Sequence, residues 1–232
     1  MAQFGNDYLA GCHPAILDAL AATNLEQSAG YGLDPYCDAA RATIRALIGD
    51  EAVDVHFLVG GTQANATVIA SILRPWQGVI AADCGHIATH ETGAVEAHGH
   101  KVLTLPGADG KLDAAQLRDF MESYWLASGI QEHIVQPGMV YLSQPTELGT
   151  VYSRAELAAL AQVCRRHDLP LFVDGARLGY ALHPEVSDVT LADLTALSDV
   201  FYIGGTKCGA LFGEAVVITR DACKPYFRAT MK

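Results

Sequence analysis

Apolar runs of strand length recur along the chain and are separated by segments with helical patterns. The runs occupy residues 55–60, 78–83, 101–105, 139–144, 171–176, 199–205 and 215–220. Their apolar positions are nearly continuous instead of alternating, which is typical of strands that are buried on both faces. The sequence therefore predicts an α/β fold, with a mostly parallel central sheet that is covered by helices on both faces.

Helices are predicted before the first strand and between the later strands. Residues 13–24 and 35–49 carry amphipathic patterns ahead of the first apolar run, and residues 90–99 carry a helical pattern after the second run. Ser153, with Glu156 three residues further on, forms the sequence signature of a capping box. This pair predicts the start of another helix.

Composition and charge narrow the class of protein. The 232 residues are 50% hydrophobic and carry a formal net charge of -11, with the acidic residues spread along the chain. This balance is unfavourable for an electrostatic nucleic-acid binder, and no apolar stretch of membrane-spanning length occurs. The six cysteines are scattered without a C-x-x-C pair, which is typical of cytosolic thiols. We therefore expect a globular, cytoplasmic protein that partners neither nucleic acid nor membrane.

Ligands of open α/β sheets collect at the carboxyl ends of the strands, so the residues directly after each apolar run are the first candidates for a site. Gly61 and Thr62 open a helix after the first run, where N–H groups and the helix dipole suit a phosphate; a glycine turn before any helix is the alternative. Asp174 lies in the fifth run, where a buried carboxylate requires a cation such as a protonated ring nitrogen, unless it caps the next helix. Arg177 can pair with Asp174, bind a carboxylated substrate or lie on the surface.

Two further strand ends carry nucleophilic and acid–base candidates. Lys207 follows the sixth run on glycine-rich backbone, where a partly desolvated lysine can form a Schiff base; an exposed loop lysine is the alternative. His86 follows the second run and can stack on an aromatic ring or transfer a proton. Cys84, His86 and His90 lack a second matching pair of ligands, so no metal site is predicted.

The motifs around these four strand ends resemble the L-threonine aldolase and β-eliminating lyase family of fold-type I pyridoxal-phosphate (PLP) enzymes. They are FLVGGTQAN at residues 57–65, HIATHETGA at 86–94, LFVDGARLGYAL at 171–182 and YIGGTKCGALFGE at 202–214. The resemblance runs from about Asn6 to Lys232. It implies an N-terminal arm with helices over residues 1–50 and a PLP-binding large domain over 51–220. Residues 221–232 would then start a linker to a small C-terminal domain that this chain lacks.

The resemblance also implies roles for individual residues. The cofactor contacts would be Gly61, Thr62, His86, Asp174, Arg177, Thr206 and Lys207. Within this set, Lys207 would hold PLP as a Schiff base, Asp174 would bond the pyridinium nitrogen, and His86 would stack on the ring. These three residues would form the catalytic group. The substrate contacts would be Asn6, His90 and Arg177.

Three departures from the family pattern bear on activity. Asn6 and Asp7 stand where family members usually have a Ser-Asp pair, and residues 144–147 stand where they often have a Thr-His-Asn segment. The second active-site histidine of the family is therefore absent, and the arginine of the small domain that grips the substrate carboxylate is absent too. We expect a fragment, a truncated gene product or a minimal relative, which binds PLP but cleaves its substrate poorly.

These observations predict a PLP-dependent aldehyde-lyase similar to low-specificity L-threonine aldolase, which cleaves a β-hydroxy-α-amino acid to glycine and an aldehyde. Either His86 or His90 would take the proton of the β-hydroxyl group. The alternatives are a PLP-dependent β-eliminating lyase or racemase, and a truncated PLP-binding chain with little activity. A nicotinamide-binding domain is disfavoured because the G-x-G-x-x-G fingerprint is missing. The resemblance further implies a homodimer or homotetramer that acts on a small amino acid.

Overall fold

A mixed sheet forms the centre of the protein in a computed structural model that describes residues 3, 5–126, 129 and 131–232. Its strands are β1 (Asp54–Leu58), β2 (Gln77–Ala82), β3 (Val102–Leu105), β4 (Gln136–Ser143), β5 (Leu171–Asp174), β6 (Val200–Gly204) and β7 (Glu214–Ile218). Their order across the sheet is β1-β7-β6-β5-β4-β2-β3. Neighbouring strands from β6 to β3 are parallel, whereas β7 is antiparallel to both β1 and β6. The predicted mostly parallel sheet is confirmed, and β7 is antiparallel because residues 205–213 are too few for a parallel crossover.

The helices that the structure describes pack around this sheet. They are α1 (Pro14–Thr23), α2 (Pro35–Ile48), α3 (Gly61–Ile72), α4 (His86–Thr89), α5 (Ala94–Ala97), α6 (Ala114–Leu126), α7 (Arg154–Arg166), α8 (Leu178–Ala181), α9 (Leu191–Leu197) and α10 (Phe227–Met231). The predicted capping box is present at the start of α7, where Ser153 and Glu156 exchange side-chain to backbone hydrogen bonds. None of the described helices is long and apolar enough to cross a membrane.

The segment at residues 90–99, which the sequence predicts to be helical, does not form one helix. It contains α5 but is interrupted by Thr92 and Gly93, whose φ angles are 52° and 73°. This left-handed backbone cannot continue a right-handed helix. Glu91, directly before the interruption, has a fully buried side chain.

Side chains from the two faces of the sheet form two hydrophobic cores. Neighbouring positions show the alternation: Leu142 and Val173 belong to one core, and Tyr141 and Phe172 to the other. Residues of α2, α6, α7 and α9 complete the first core, and residues of α3, α5 and α10 complete the second. Helices therefore cover both faces of the sheet, as the apolar runs predict.

Close backbone packing joins two strand ends at one edge of the sheet. A Cβ atom on Gly175, just after β5, would lie 1.8 Å from the carbonyl oxygen of Tyr202. A Cβ atom on Gly204 would lie 2.3 Å from the carbonyl oxygen of Ala176. Neither position admits a side chain without a backbone shift. The turn after β5 therefore packs directly against β6, and the last residue of β5 lies beside the loop that follows β6.

Candidate active site

A cavity of about 250 Å³ lies at the carboxyl ends of the parallel strands. Its lining includes Gly61, Thr62, His86, His90, Asp174, Arg177, Thr206 and Lys207. The structure thus brings together every cofactor contact that the sequence predicts, and two of the three predicted substrate contacts. The third, Asn6, is outside the lining, although its side chain accepts a hydrogen bond from the N–H of Tyr8, which does line the cavity (3.1 Å).

Asp174 is buried beside the cavity and accepts four hydrogen bonds. Its donors are the Tyr141 hydroxyl (2.5 Å), the Tyr202 hydroxyl, the Asn65 amide (3.0 Å) and the Ala176 N–H (3.0 Å). Burial, reinforced by the charge of Asp174, raises the pKa of both tyrosines well above the ordinary value, so both remain neutral donors. A buried carboxylate in this setting offers negative charge to a cation in the cavity, such as a protonated ring nitrogen.

His86, at the start of α4, contacts two acidic side chains. Its Nδ1 lies 2.8 Å from Oε1 of Glu91, and its backbone N–H donates to Oε1 of Glu147 at 2.8 Å. The hydrogen bond to Glu91 outweighs the effect of burial and raises the pKa of His86. The ring of His90 stacks on that of His86 with their centroids 5.6 Å apart. The cavity therefore contains a pair of imidazoles, and a buried carboxylate holds one of them.

The loop after β6 presents Lys207 to the cavity and is anchored by the buried carboxylate of Glu214. The Thr206 hydroxyl donates to Oε1 of Glu214 at 2.9 Å, and the Gly205 N–H donates to Oε2 at 3.2 Å. Burial raises the pKa of Glu214 to about 7. The Lys207 ammonium group lies 5.7 Å from the centroid of the Tyr8 ring. An amine on a loop held in this way can attack a carbonyl carbon in the cavity.

The N-terminus of α3 borders the same cavity. Gly60 is its N-cap residue, and no side chain of the described residues caps this helix end. The first N–H groups of the helix, at Gly61 and Thr62, are therefore available to a ligand. A Cβ atom on Gly61 would lie 3.0 Å from the Tyr202 hydroxyl, so glycine keeps this space open. The N–H groups and the helix dipole favour an anion such as a phosphate here.

Arg177 forms an ion pair with Asp7 at one side of the cavity. Although burial opposes its charge, the hydrogen bond to Asp7 raises the pKa of Arg177. Arg177 is also the N-cap residue of α8, so Asp174 does not cap that helix. The guanidinium group that the sequence predicts to contact substrate or cofactor is therefore engaged by the residue next to Asn6.

Sequence reasoning missed several residues that shape the cavity. Asn65 and Glu214 belong to motifs that match the family, and a residue-by-residue reading of those motifs would have included them. Tyr141 and Tyr202 lie within apolar strands and read as core residues, which they also are. Glu147 follows β4 and accepts the backbone N–H of His86, which lies 61 positions earlier in the chain. No local sequence pattern indicates this contact.

Comparisons with known proteins agree on the family. The family model described as beta-eliminating lyase matches residues 3–229. A protein named low specificity L-threonine aldolase from Pseudomonas aeruginosa is 33% identical over 228 residues, which cover 97% of this chain and 64% of that protein. A solved structure of Leishmania major threonine aldolase is similar with a TM-score of 0.91 and 49% identity, over 97% of this chain and 65% of that one.

A more distant structure supports the fold alone. Aspartate aminotransferase from Thermus thermophilus is similar with a TM-score of 0.73 at 18% identity, over 98% of this chain and 59% of that one. The predicted fold-type I large domain is confirmed by these likenesses, and the chain spans less than two thirds of the length of each of these relatives. Because the family model covers the chain almost from end to end, and the threonine aldolases agree with it, this chain belongs to the beta-eliminating lyase family.

Proposed function

We propose that this chain carries the cofactor site of a PLP-dependent aldehyde-lyase that cleaves a β-hydroxy-α-amino acid to glycine and an aldehyde. One observation supports it most: a single cavity combines an amine, a buried carboxylate, a carboxylate-bound imidazole and an uncapped helix N-terminus. The relatives named threonine aldolase, from Pseudomonas aeruginosa and Leishmania major, support the same substrate class.

The groups in the cavity fit the chemistry of pyridoxal phosphate. Lys207 would bind its aldehyde carbon, and Asp174 would bond its ring nitrogen. The N-terminus of α3, where glycine leaves the space that a Cβ would fill, would hold the phosphate through Gly61 and Thr62. His86 would lie against the ring. The fit rests on the chemistry of the lining: an amine for the aldehyde, a carboxylate for the ring nitrogen and free N–H groups for the phosphate.

When bound, pyridoxal phosphate supplies an electron sink that weakens the bonds at Cα of an attached amino acid. Asp174 supports this chemistry by favouring a proton on the ring nitrogen. Thr206 and Glu214 hold the loop so that the amine of Lys207 stays within the cavity. A base must accept the β-hydroxyl proton when the Cα–Cβ bond breaks, and the cavity offers His86 and His90 for this step.

β-Elimination is the second candidate reaction, because the matching family is described by that activity. It breaks the Cα–H bond and the bond from Cβ to its leaving group, and it leaves the Cα–Cβ bond intact. The products of the two reactions differ: elimination from threonine gives a keto acid and ammonia, whereas aldol cleavage gives glycine and acetaldehyde. Product analysis with L-threonine therefore separates them.

Lys207→Ala tests the proposed cofactor attachment, and Lys101→Ala, at an exposed lysine, is the matched control. We expect wild type and Lys101→Ala to show a visible absorption band with PLP that borohydride removes. Peptide mapping by mass spectrometry should then find the reduced cofactor on Lys207. Recovery of the label on another lysine, or an unchanged label in Lys207→Ala, would refute the assignment.

We also propose that the chain forms a homodimer or homotetramer. α1 has no buried residue, and the N-terminal arm leaves half or more of the surface of Leu17, Leu20, Tyr31, Leu33 and Tyr36 exposed. Several large apolar side chains exposed on one segment are typical of a surface that a partner covers. Light scattering at several protein concentrations, with and without PLP, measures the mass; a monomer under every condition would contradict the proposal.

A cytoplasmic location is proposed as well. All six cysteines are free thiols, and free thiols persist in compartments that are kept reducing. Fractionation of cells that express the protein from its own gene would test this, since recovery in an exported fraction would rule it out.

A further inference from the structure

The contact between His86 and Glu91 joins an imidazole at the cavity to a carboxylate in the interior. Nδ1 of His86 lies 2.8 Å from Oε1 of Glu91, whose side chain has no exposed surface. The same oxygen accepts a hydrogen bond from the amide of Asn65 at 2.7 Å. An oxygen that accepts the amide N–H is a poor place for a carboxylic proton, so the bridging hydrogen belongs to Nδ1 of His86.

Asn65 fixes the direction in which the Glu91 carboxylate points. The Asn65 side chain is fully buried, and its amide nitrogen donates both to Glu91 and to Asp174, the latter at 3.0 Å. Oε2 of Glu91 has no hydrogen-bond partner among the described residues. A buried carboxylate with one unpartnered oxygen is costly unless it meets a cation. His86 is the side chain in contact with it that can become that cation.

Further charged groups face His86 from other elements. Glu147 accepts its backbone N–H at 2.8 Å, and the ring of His90 stacks on it. The charge of Asp174 raises the pKa of His86 and that of Lys207 lowers it, but the hydrogen bond to Glu91 has the largest effect. The surroundings of His86 are therefore acidic on balance.

We propose that Glu91 is a positioning residue that holds His86 as an imidazolium ion, with Asn65 orienting the carboxylate. The catalytic meaning of this arrangement rests on the proposed function. An imidazolium has protons on both ring nitrogens and cannot accept the β-hydroxyl proton. Among the described residues, the Nδ1 of His90 contacts the Thr89 hydroxyl at 2.6 Å and no carboxylate, so His90 is left as the proton acceptor of the two stacked imidazoles. The two stacked histidines thus have separate tasks.

An NMR titration of the protein without cofactor, made with ¹³C-labelled histidine, tests this proposal. The signal of His86 is identified by its loss in His86→Asn. Glu91→Gln preserves the size of the side chain and an acceptor oxygen but removes the charge. We expect it to lower the pKa of His86 by about one unit or more, the range for a lost opposite charge in contact. Glu147→Gln is the matched control, because that carboxylate contacts only the backbone of His86, and its shift should be less than half as large.

An unchanged pKa of His86 in Glu91→Gln would overturn the proposal, and so would an equal or larger shift in Glu147→Gln. If Glu91→Gln does not fold, Glu91→Asp is the second variant. Its side chain is shorter by one methylene group, so the carboxylate lies further from His86. That variant should lower the pKa of His86 by about half a unit, and no change would again overturn the proposal. Failure of the wild-type protein to bind PLP would refute the proposed function and leave the titration readable, so the two failures are distinguishable.

Discussion

Two groups of side chains at the cavity differ in how firmly they are held. The floor group consists of Asp174 and Tyr202, which line the cavity, and of Asn65, Glu91 and Tyr141, which contact lining residues from behind. The rim group consists of Tyr8, His90, Arg177 and Lys207 from the lining, and of Asp7, which pairs with Arg177. Every residue of the floor group is buried. On the rim, Tyr8 is 57% exposed, and the side chains of Arg177 and Asp7 are 31% and 39% exposed. The floor group belongs to the core of the protein, whereas the rim group belongs to its surface.

This difference follows from the elements that carry each group. Residues of β4, β5, β6 and α3 supply most of the floor, so packing of the sheet fixes their positions. The arm and loops supply most of the rim, where a partly exposed ion pair contributes only about 0–1 kcal/mol. A hydrogen bond to a charged group contributes about 1.5–3 kcal/mol. Folding therefore fixes the positions of the charged and polar groups beneath the cavity, whereas the rim side chains can rearrange when a ligand binds.

The largest expected effect is on the floor, from Asp174→Ala. The change leaves four donors without their acceptor, three of them on buried side chains, so we expect the free energy of unfolding without cofactor to fall by about 4 kcal/mol. Urea unfolding measures it. Asp83→Ala is the matched control, since Asp83 also follows a strand but is exposed. Equal losses in the two variants would show that the floor is no more firmly held than the surface.

A somewhat smaller effect is expected at Glu214, the buried carboxylate that anchors the lysine loop. Its pKa is raised by burial from 4.5 to about 7, so its contribution to stability is complete below pH 4.5 and is lost as the pH rises through 7. Glu214→Gln removes this dependence. One pKa unit corresponds to about 1.36 kcal/mol. Relative to the variant, the free energy of unfolding of the wild type should therefore fall by on the order of 3 kcal/mol over this pH range.

At Glu156, the capping-box residue of α7, the contribution to stability should depend on pH with the opposite sign. Burial acts to raise its pKa, but hydrogen bonds from Ser153 and Lys111 prevail and lower it from 4.5. Its contribution to stability is therefore present above pH 4.5 and is lost as the pH falls through the lowered pKa. Denaturant unfolding across the pH range should give opposite slopes for Glu214→Gln and Glu156→Gln, each relative to wild type. Slopes of the same sign would contradict the assigned environment of Glu214.

The smallest effect is expected on the rim, from Asp7→Asn. This change removes the charge that pairs with Arg177, yet both side chains are partly exposed, so the free energy of unfolding should change by less than about 0.5 kcal/mol. Thermal unfolding of Asp7→Asn and of Asp174→Ala, measured in parallel, compares the losses of stability in the two variants. A loss of about 2 kcal/mol or more would show that the arm is fixed as firmly as the core.

The fold class could be predicted from the sequence because burial on both faces leaves a continuous apolar signal. Each apolar run overlaps a strand in the structure, and the capping box at Ser153 starts α7 as predicted. The prediction of one helix over residues 90–99 was wrong, because helical periodicity carries no information about the positive φ angles at Thr92 and Gly93. The antiparallel direction of β7 was set by the length of a loop and not by any strand pattern.

The sequence by itself also determined which residues stand at the strand ends, because parallel strands finish at one edge of the sheet. The sequence alone therefore predicts that His86, Asp174 and Lys207 meet. Only the tertiary structure decided what surrounds them. Asn65 lies 109 positions from Asp174, and the tyrosines that bind the same carboxylate are apolar strand residues in sequence terms. Such contacts depend on the register of neighbouring strands and on side-chain packing, which are set by the whole fold and leave no mark in a local pattern.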